Sequence, residues 1–228
     1  MIVRVARQAE RSGASEVVVA TDDERVREAV TSAGHQARMT RADHASGSDR
    51  VMEVADAGGW PPDTVVVNVQ GDEPLIPPEV IEQVAHVLLN DPDLGVATLY
   101  EPITDLSDVF DPNVVKVVAG ADGFARYFSR APVPFARDSF TAAATEGPVP
   151  EPNVWFRHIG LYAYRLAALR RFVTLPAGRL ERIEALEQLR LVENGVGIRV
   201  ARAVATVPGG VDTPADLERV REALAHDG

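Results

Sequence analysis

TVVVNVQGDEP, residues 64–74, is a β-branched apolar run that stops abruptly at Gln70, Gly71, Asp72 and Glu73. The run predicts a buried strand that delivers carboxylates to its own carboxyl end. In an open parallel sheet that end is the ligand side, because the loops diverge there between strand ends and helix N-termini. The stretch therefore predicts an α/β fold and locates a site within it.

The sequence upstream repeats the same unit. Ile2, Val3, Val5, Ala6 and Ala9 form one helical apolar face ending near Gly13, and EVVVAT follows as a strand. Asp22 or Asp23 caps the next helix, which ends at Gly34 before the strand QARMT. The polar segment TRADHASGSDR, residues 40–50, enters a helix running through Ala57, and another helix begins at Pro77 and Pro78 and continues to about Leu89. This is the βαβ rhythm of a parallel sheet.

Downstream the pattern changes. VATLYEPI is a strand, and NVVKVVAGADGFARYFS is two strands joined at a Gly-Ala-Asp-Gly turn, hence a hairpin. Residues 136–153 are loop-like, WFRHIGLYAY alternates as a strand, and LERIEALEQLRLVENG predicts one amphipathic helix stopped at Gly195. GIRVARAV is a last strand. Thr213 caps a terminal helix with Pro214 in its first turn and Asp216 completing the cap. The whole predicts a mixed sheet with a smaller lobe around residues 120–180, in a single domain spanning 1–228.

Composition excludes several classes of function. The 228 residues carry a net charge of −11, and Lys116 is the only lysine. Binding to nucleic acid or anionic membrane depends on many cationic contacts, so neither is expected. Without cysteine there is neither a disulfide framework nor thiolate chemistry. No run is apolar enough to span a bilayer and no signal peptide is recognisable, so a cytoplasmic location is expected.

Several residues carry candidate chemistry. Asp72 alone also fits ordinary turn chemistry before proline. Asp212, in GGVDTP, follows a predicted strand and is spare because Thr213 already caps the helix. Two such carboxylates suit an octahedral Mg²⁺ completed by water and substrate phosphates. The 40–50 segment offers hydroxyls, a carboxylate, an imidazole and a glycine at a helix start, suited to a base edge or a phosphate, although Ser46 or Ser48 equally serves as a plain cap. By residue type alone, His158 reads as a packed strand histidine. Glu184 and Glu187 read as a solvated helix face with Arg190, and Ser129 and Arg130 as a strand end.

In this order, VVVNVQGDEPLIP, TRADHASGSDR, YFSRAPVP, RHIGLYAYR, IEALEQLR and VDTPADLERVR resemble the 3-deoxy-manno-octulosonate cytidylyltransferases, or CMP-KDO synthetases, over essentially the whole chain. The sialic acid cytidylyltransferases share QGDEP and VDTPxDL more loosely. The resemblance implies a Rossmann-like nucleotidyltransferase, with a predominantly parallel mixed sheet and a smaller hairpin-containing dimerisation lobe. It implies Mg²⁺-dependent transfer of CMP from CTP to the anomeric hydroxyl of KDO, for lipopolysaccharide, by a homodimer. Asp72 and Asp212 match the metal-binding aspartates. Thr40, Arg41, Asp43, His44, Ser46, Gly47 and Arg50 match the cytidine loop, and Gln70, Arg130, His158, Tyr162, Glu187 and Gln188 match positions around the sugar acid.

One departure stands out. Family members open with a strand and a loop of the type PARxxSxRLPGKPL that grips the triphosphate, and neither is present here. Met1 is therefore expected to be an internal methionine of a longer polypeptide. The alternative is a noncatalytic remnant or nucleotide-binding subunit whose sheet has an unpaired gap.

Overall fold

In the computed structural model, residues 1–140 and 145–226 are described; positions 141–144 of the expected loop lie outside them. The first half follows the predicted alternation. It comprises α1 (Ile2–Arg11), β1 (Val18–Thr21), α2 (Glu24–Ser32), β2 (Gln36–Met39), α3 (Gly47–Gly58), β3 (Val65–Asn68), α4 (Pro78–Leu89) and β4 (Val96–Pro102). Local chemistry sets the boundaries. Asp23 rather than Asp22 caps α2, its carboxylate accepting from the Arg25 amide at 2.8 Å, and Pro78 opens α4 with its ring at a position that needs no N–H.

The second half comprises α5 (Leu106–Phe110), β5 (Lys116–Ala119), β6 (Ala125–Ser129), β7 (Phe156–Arg165), α6 (Leu166–Thr174), α7 (Arg179–Glu184), α8 (Leu189–Glu193), β8 (Arg199–Arg202) and α9 (Pro214–His226). β5 and β6 form the expected antiparallel hairpin, turned at Gly123, whose φ of 76° favours a residue without Cβ. The predicted cap of α9 is present: the Thr213 amide donates to the Asp216 carboxylate at 3.0 Å and the Asp216 amide to Thr213 Oγ1 at 3.2 Å.

The strands form two sheets. β1 and β2 pair in parallel by themselves, and the larger sheet runs β6-β5-β7-β4-β8 with β3 also paired to β7. β3, β4, β5 and β8 point the same way, while β7 lies antiparallel between them, so the sheet is mixed. WFRHIGLYAY supplies the strand at the centre of this sheet. Its Ile159, Leu161, Tyr162, Ala163 and Tyr164 are buried. Within the 120–180 stretch, β7 and α6 belong to the main core. The satellite cluster is built instead from Ile103, Leu106, Val109, Phe140 and Trp155.

Two further features depart from the local pattern. LERIEALEQLR is not one helix: α7 stops at Ala185, which takes a left-handed conformation (φ 51°, ψ 50°), and α8 resumes at Leu189. Tertiary hydrogen bonds hold the break. Arg130 Nε donates to the Glu184 carbonyl at 2.7 Å, and the Glu184 carboxylate accepts from Ser129 Oγ at 2.7 Å and from the Arg130 amide at 2.9 Å. Second, the facing edges of β1 and β3 are not paired with each other. They flank a cavity of about 690 Å³ that α1 and α4 cover with Ile2, Val5, Ile81 and Ala85, and α3 with Val51 and Val54.

Candidate active site

Three segments converge beyond the carboxyl end of β3. The first is the 40–50 loop with the start of α3. Ser46 caps α3, its hydroxyl accepting from the Asp49 amide at 3.2 Å. Arg50 donates to Thr40 Oγ1 at 2.5 Å and lies 3.3 Å from Asp22, tying the loop back to the end of β1. Arg41 pairs loosely with Asp43 at 3.5 Å, and all three of Arg41, Asp43 and Gly47 are exposed. The His44 side chain is buried against Glu53, which also accepts from the Arg41 amide at 3.3 Å. Hydrogen bonding from His44 holds the Glu53 carboxyl below its usual range. Glu53 thus braces the loop from within α3, a role with no local signature in the sequence.

The second segment is the end of β3. Asn68 is buried, and the side-chain amides of Asn68 and Gln70 face Gly47 at ordinary contact distance, 3.7–3.8 Å from where a Cβ would lie. The Asp72 carbonyl accepts from the Val211 amide at 2.9 Å, which sets Asp212 beside the 72–73 turn. A Cβ on Gly210 would come within 3.3 Å of both the Asp72 carbonyl and Glu73 Oε1, so the approach is tight. Glu73 records the charge gathered here. Burial first, then Asp72 and Asp212, push its carboxyl up to about 7 against the pull of Arg157 and Arg219. Those arginines are otherwise engaged: Arg157 pairs with Glu101 at 2.5 Å, and Arg219 donates to the Gly209 carbonyl at 3.0 Å.

The third segment is the turn between α7 and α8. Glu187, expected on a helix face, lies in this turn, and its Oε1 accepts from Ser48 Oγ at 2.6 Å across the site. Glu187 Oε2, Gln188 Nε2 and the Tyr162 hydroxyl are buried without a partner among the described residues. Burial pushes the Tyr162 phenol far up, with Tyr164 and Glu187 adding to the shift, so it stays protonated. His158 packs edge-on to Phe128 (ring centres 4.9 Å apart) and beside Tyr162 (5.3 Å), with Nε2 3.2 Å from Thr98 Oγ1. Burial and then Arg157 push its imidazole down to about 3, so it is neutral across the working pH range.

Arg130 stands apart from the other positions matched to the sugar acid. Its guanidinium donates to the main-chain carbonyls of Pro112 (2.8 Å), Glu184 (2.7 Å) and Ala185 (3.5 Å), which makes it a brace for the turn carrying Glu187. Residue-by-residue reading of the sequence missed Ser48's bond to Glu187, as well as Glu53, Thr98 and Tyr164. Only the serine gave a signal, as an alternative cap.

The arrangement offers unpaired donors and acceptors for a polyol, a helix start for a base or phosphate, and carboxylates for a cation. It matches what the comparisons return. A solved structure of a CMP:2-keto-3-deoxy-manno-octonic acid synthetase complexed with CTP is 40% identical to this chain, covers 100% of it and 88% of that chain, and superposes with a TM-score of 0.87. Residues 1–199 match the family described as cytidylyltransferase, and the chain belongs to that family.

Proposed function

We propose that this cytidylyltransferase transfers CMP from CTP to the anomeric hydroxyl of 3-deoxy-D-manno-octulosonate, releasing pyrophosphate and giving CMP-KDO for lipopolysaccharide. The observation that carries the reading is the full-length likeness to the synthetase. It is supported by the buried unpartnered Glu187, Gln188 and Tyr162 atoms, whose mixture of acceptor and donors suits the hydroxyls of a sugar acid.

In this reading the 40–50 loop and the start of α3 seat the cytidine. Glu187, Gln188 and Tyr162 orient the sugar, and neutral His158 with Thr98 shapes its floor without adding charge. Attack of an alcohol on phosphorus needs in-line placement more than a protein nucleophile, and these three segments supply placement. Asp72 and Asp212, brought to the same turn by the Val211 amide's bond to the Asp72 carbonyl, fit a divalent cation; Mg²⁺ held by them would neutralise phosphate charge and acidify the attacking hydroxyl. Among the described residues no group of three His, Cys, Asp or Glu side chains is arranged as a metal shell, which leaves the remaining positions to water and phosphate.

Pyrophosphate release tests the reading. CTP, Mg²⁺ and the octulosonate should give release that N-acetylneuraminate does not, and Asp72→Asn should lower it by at least about a hundredfold with the melting temperature retained. Absence of release from the unaltered chain contradicts the proposed reaction, and unfolding of Asp72→Asn assigns the residue to structure instead. We further infer a homodimer through the smaller lobe, where Phe135 is 64% exposed beside the Phe140–Trp155 cluster. Sedimentation should show a dimer that Phe135→Glu converts to monomer. Among the described residues no helix is long and apolar enough to cross a membrane.

A further inference from the structure

Ser48 sits in the first turn of α3, 1% exposed, between the two sides of the site. Toward the sugar side it donates to Glu187 Oε1 at 2.6 Å, a contact spanning 139 positions of sequence. A hydroxyl has one proton, and that of Ser48 is committed to Glu187. That bond occupies one carboxylate oxygen and constrains the carboxylate plane. The other oxygen, Oε2, is left buried and open, next in sequence to the unpartnered Gln188 Nε2.

The nucleotide side is attached to the same turn. Ser46 caps α3 two residues earlier, Gly47 abuts Gln70, and Arg50 is bonded to Thr40. A shift of the first turn of α3 on nucleotide binding therefore reaches Glu187 through one buried hydrogen bond to a charged acceptor. Such a bond is strong and exacting in geometry.

We propose that Ser48 is a positioning residue that couples the seating of the nucleotide to acceptance of the sugar, by holding Glu187 with Oε2 turned to a sugar hydroxyl. The proposal rests on the cytidylyltransferase reading given above. Ser48 itself need not touch either substrate. Because coupling is reciprocal, each ligand should tighten the other, and removing the hydroxyl should remove the mutual effect.

Steady-state kinetics and calorimetry on the full chain test it. Ser48→Ala is expected to raise the KM for the octulosonate at saturating CTP about tenfold, while kcat and the KM for CTP at low octulosonate, where coupling does not enter, change less than about twofold. Ser48→Cys, whose thiol is a weaker donor, should raise the same KM by about threefold. Ser48→Ala added to Glu187→Ala should cost almost nothing further, since without the carboxylate Ser48 has nothing to hold. In calorimetry with CMP as the nucleotide, CMP should tighten the octulosonate in the unaltered chain and have less effect in Ser48→Ala. An unchanged sugar KM, an equal rise in the CTP KM at low octulosonate, or additive losses in the double variant would overturn the proposal; if Ser48→Ala does not fold, an unchanged sugar KM in Ser48→Cys does so. No pyrophosphate from the unaltered chain would overturn the underlying reading and the proposal with it, whereas turnover with indifferent variants overturns the proposal alone.

Discussion

His158 shows at the scale of a single residue how a sugar-facing wall can be polar and yet uncharged. Its ring is enclosed by Phe128, Tyr162 and Thr98, and burial, with Arg157 adding to it, lowers its titration to about 3. The sign of the consequence follows from linkage. The unfolded chain takes a proton on this residue near pH 6.5 and the folded chain does not until about pH 3, so the contribution to stability is complete above 6.5 and is lost as pH falls through that window. One proton of difference corresponds to a slope of about 1.4 kcal/mol per pH unit. His158→Gln should remove that slope: denaturant unfolding between pH 6.5 and 4.5 should show a shallower acid loss in the variant, and parallel curves would mean the imidazole is not buried in solution. The strand placement of His158 was legible in RHIGLYAYR, but its neutrality was not, because desolvation depends on Phe128 and Thr98, which approach from other strands.

Among the elements, the α7–α8 break is where local pattern and tertiary structure disagree, and the disagreement creates part of the site. LERIEALEQLR has helical periodicity throughout, and nothing in it marks Ala185 as a stop. The stop is imposed by Ser129 and Arg130, more than fifty positions earlier, which capture the Glu184 carboxylate and main-chain carbonyls. The gain is that Glu187 and Gln188 point from a turn into the site instead of lying on a solvated helix face. Ala185→Gly separates the two pictures by sign. In a continuous helix glycine costs about 1 kcal/mol, whereas at φ 51° it relieves a left-handed alanine and should be neutral or stabilising by up to about 1 kcal/mol. The midpoint of urea unfolding should therefore hold or rise, and a clear fall would restore the continuous helix. By contrast, α2, α4, α9 and the β5–β6 hairpin were legible because their caps, prolines and turn glycine lie within their own segments.

For the molecule as a whole, the decisive feature is that its two sheets are joined by helices and not by a ladder. β1 and β2 pack on Ala6, Val19 and Val30 in a small cluster of their own, while β3, β4 and β7 share the main core with Ile81, Val84, Leu88 and Leu99. α1 bridges them, its Ala9 belonging to the larger cluster and its Val5 and Ile2 facing the cavity between the strand edges. Four-residue strands paired on one side only hold their backbone by few hydrogen bonds, and an apolar cavity forfeits dispersion contacts along its lining. Opening of the β1–β2 unit should therefore cost less than global unfolding, since it exposes little core beyond surface the cavity already leaves unpacked. Native-state hydrogen exchange should find the amides of Val18–Thr21 and Gln36–Met39 exchanging through a sub-global opening, while those of Val96–Thr98 and Leu161–Tyr164 exchange only with complete unfolding. Equal protection of both sets would show that the helices alone weld the sheets into one cooperative unit. Thr40 and Arg50 are anchored to Thr21 and Asp22 at the end of β1, so the same opening would release the nucleotide loop, and CTP binding should slow exchange in β1 and β2 more than in β4.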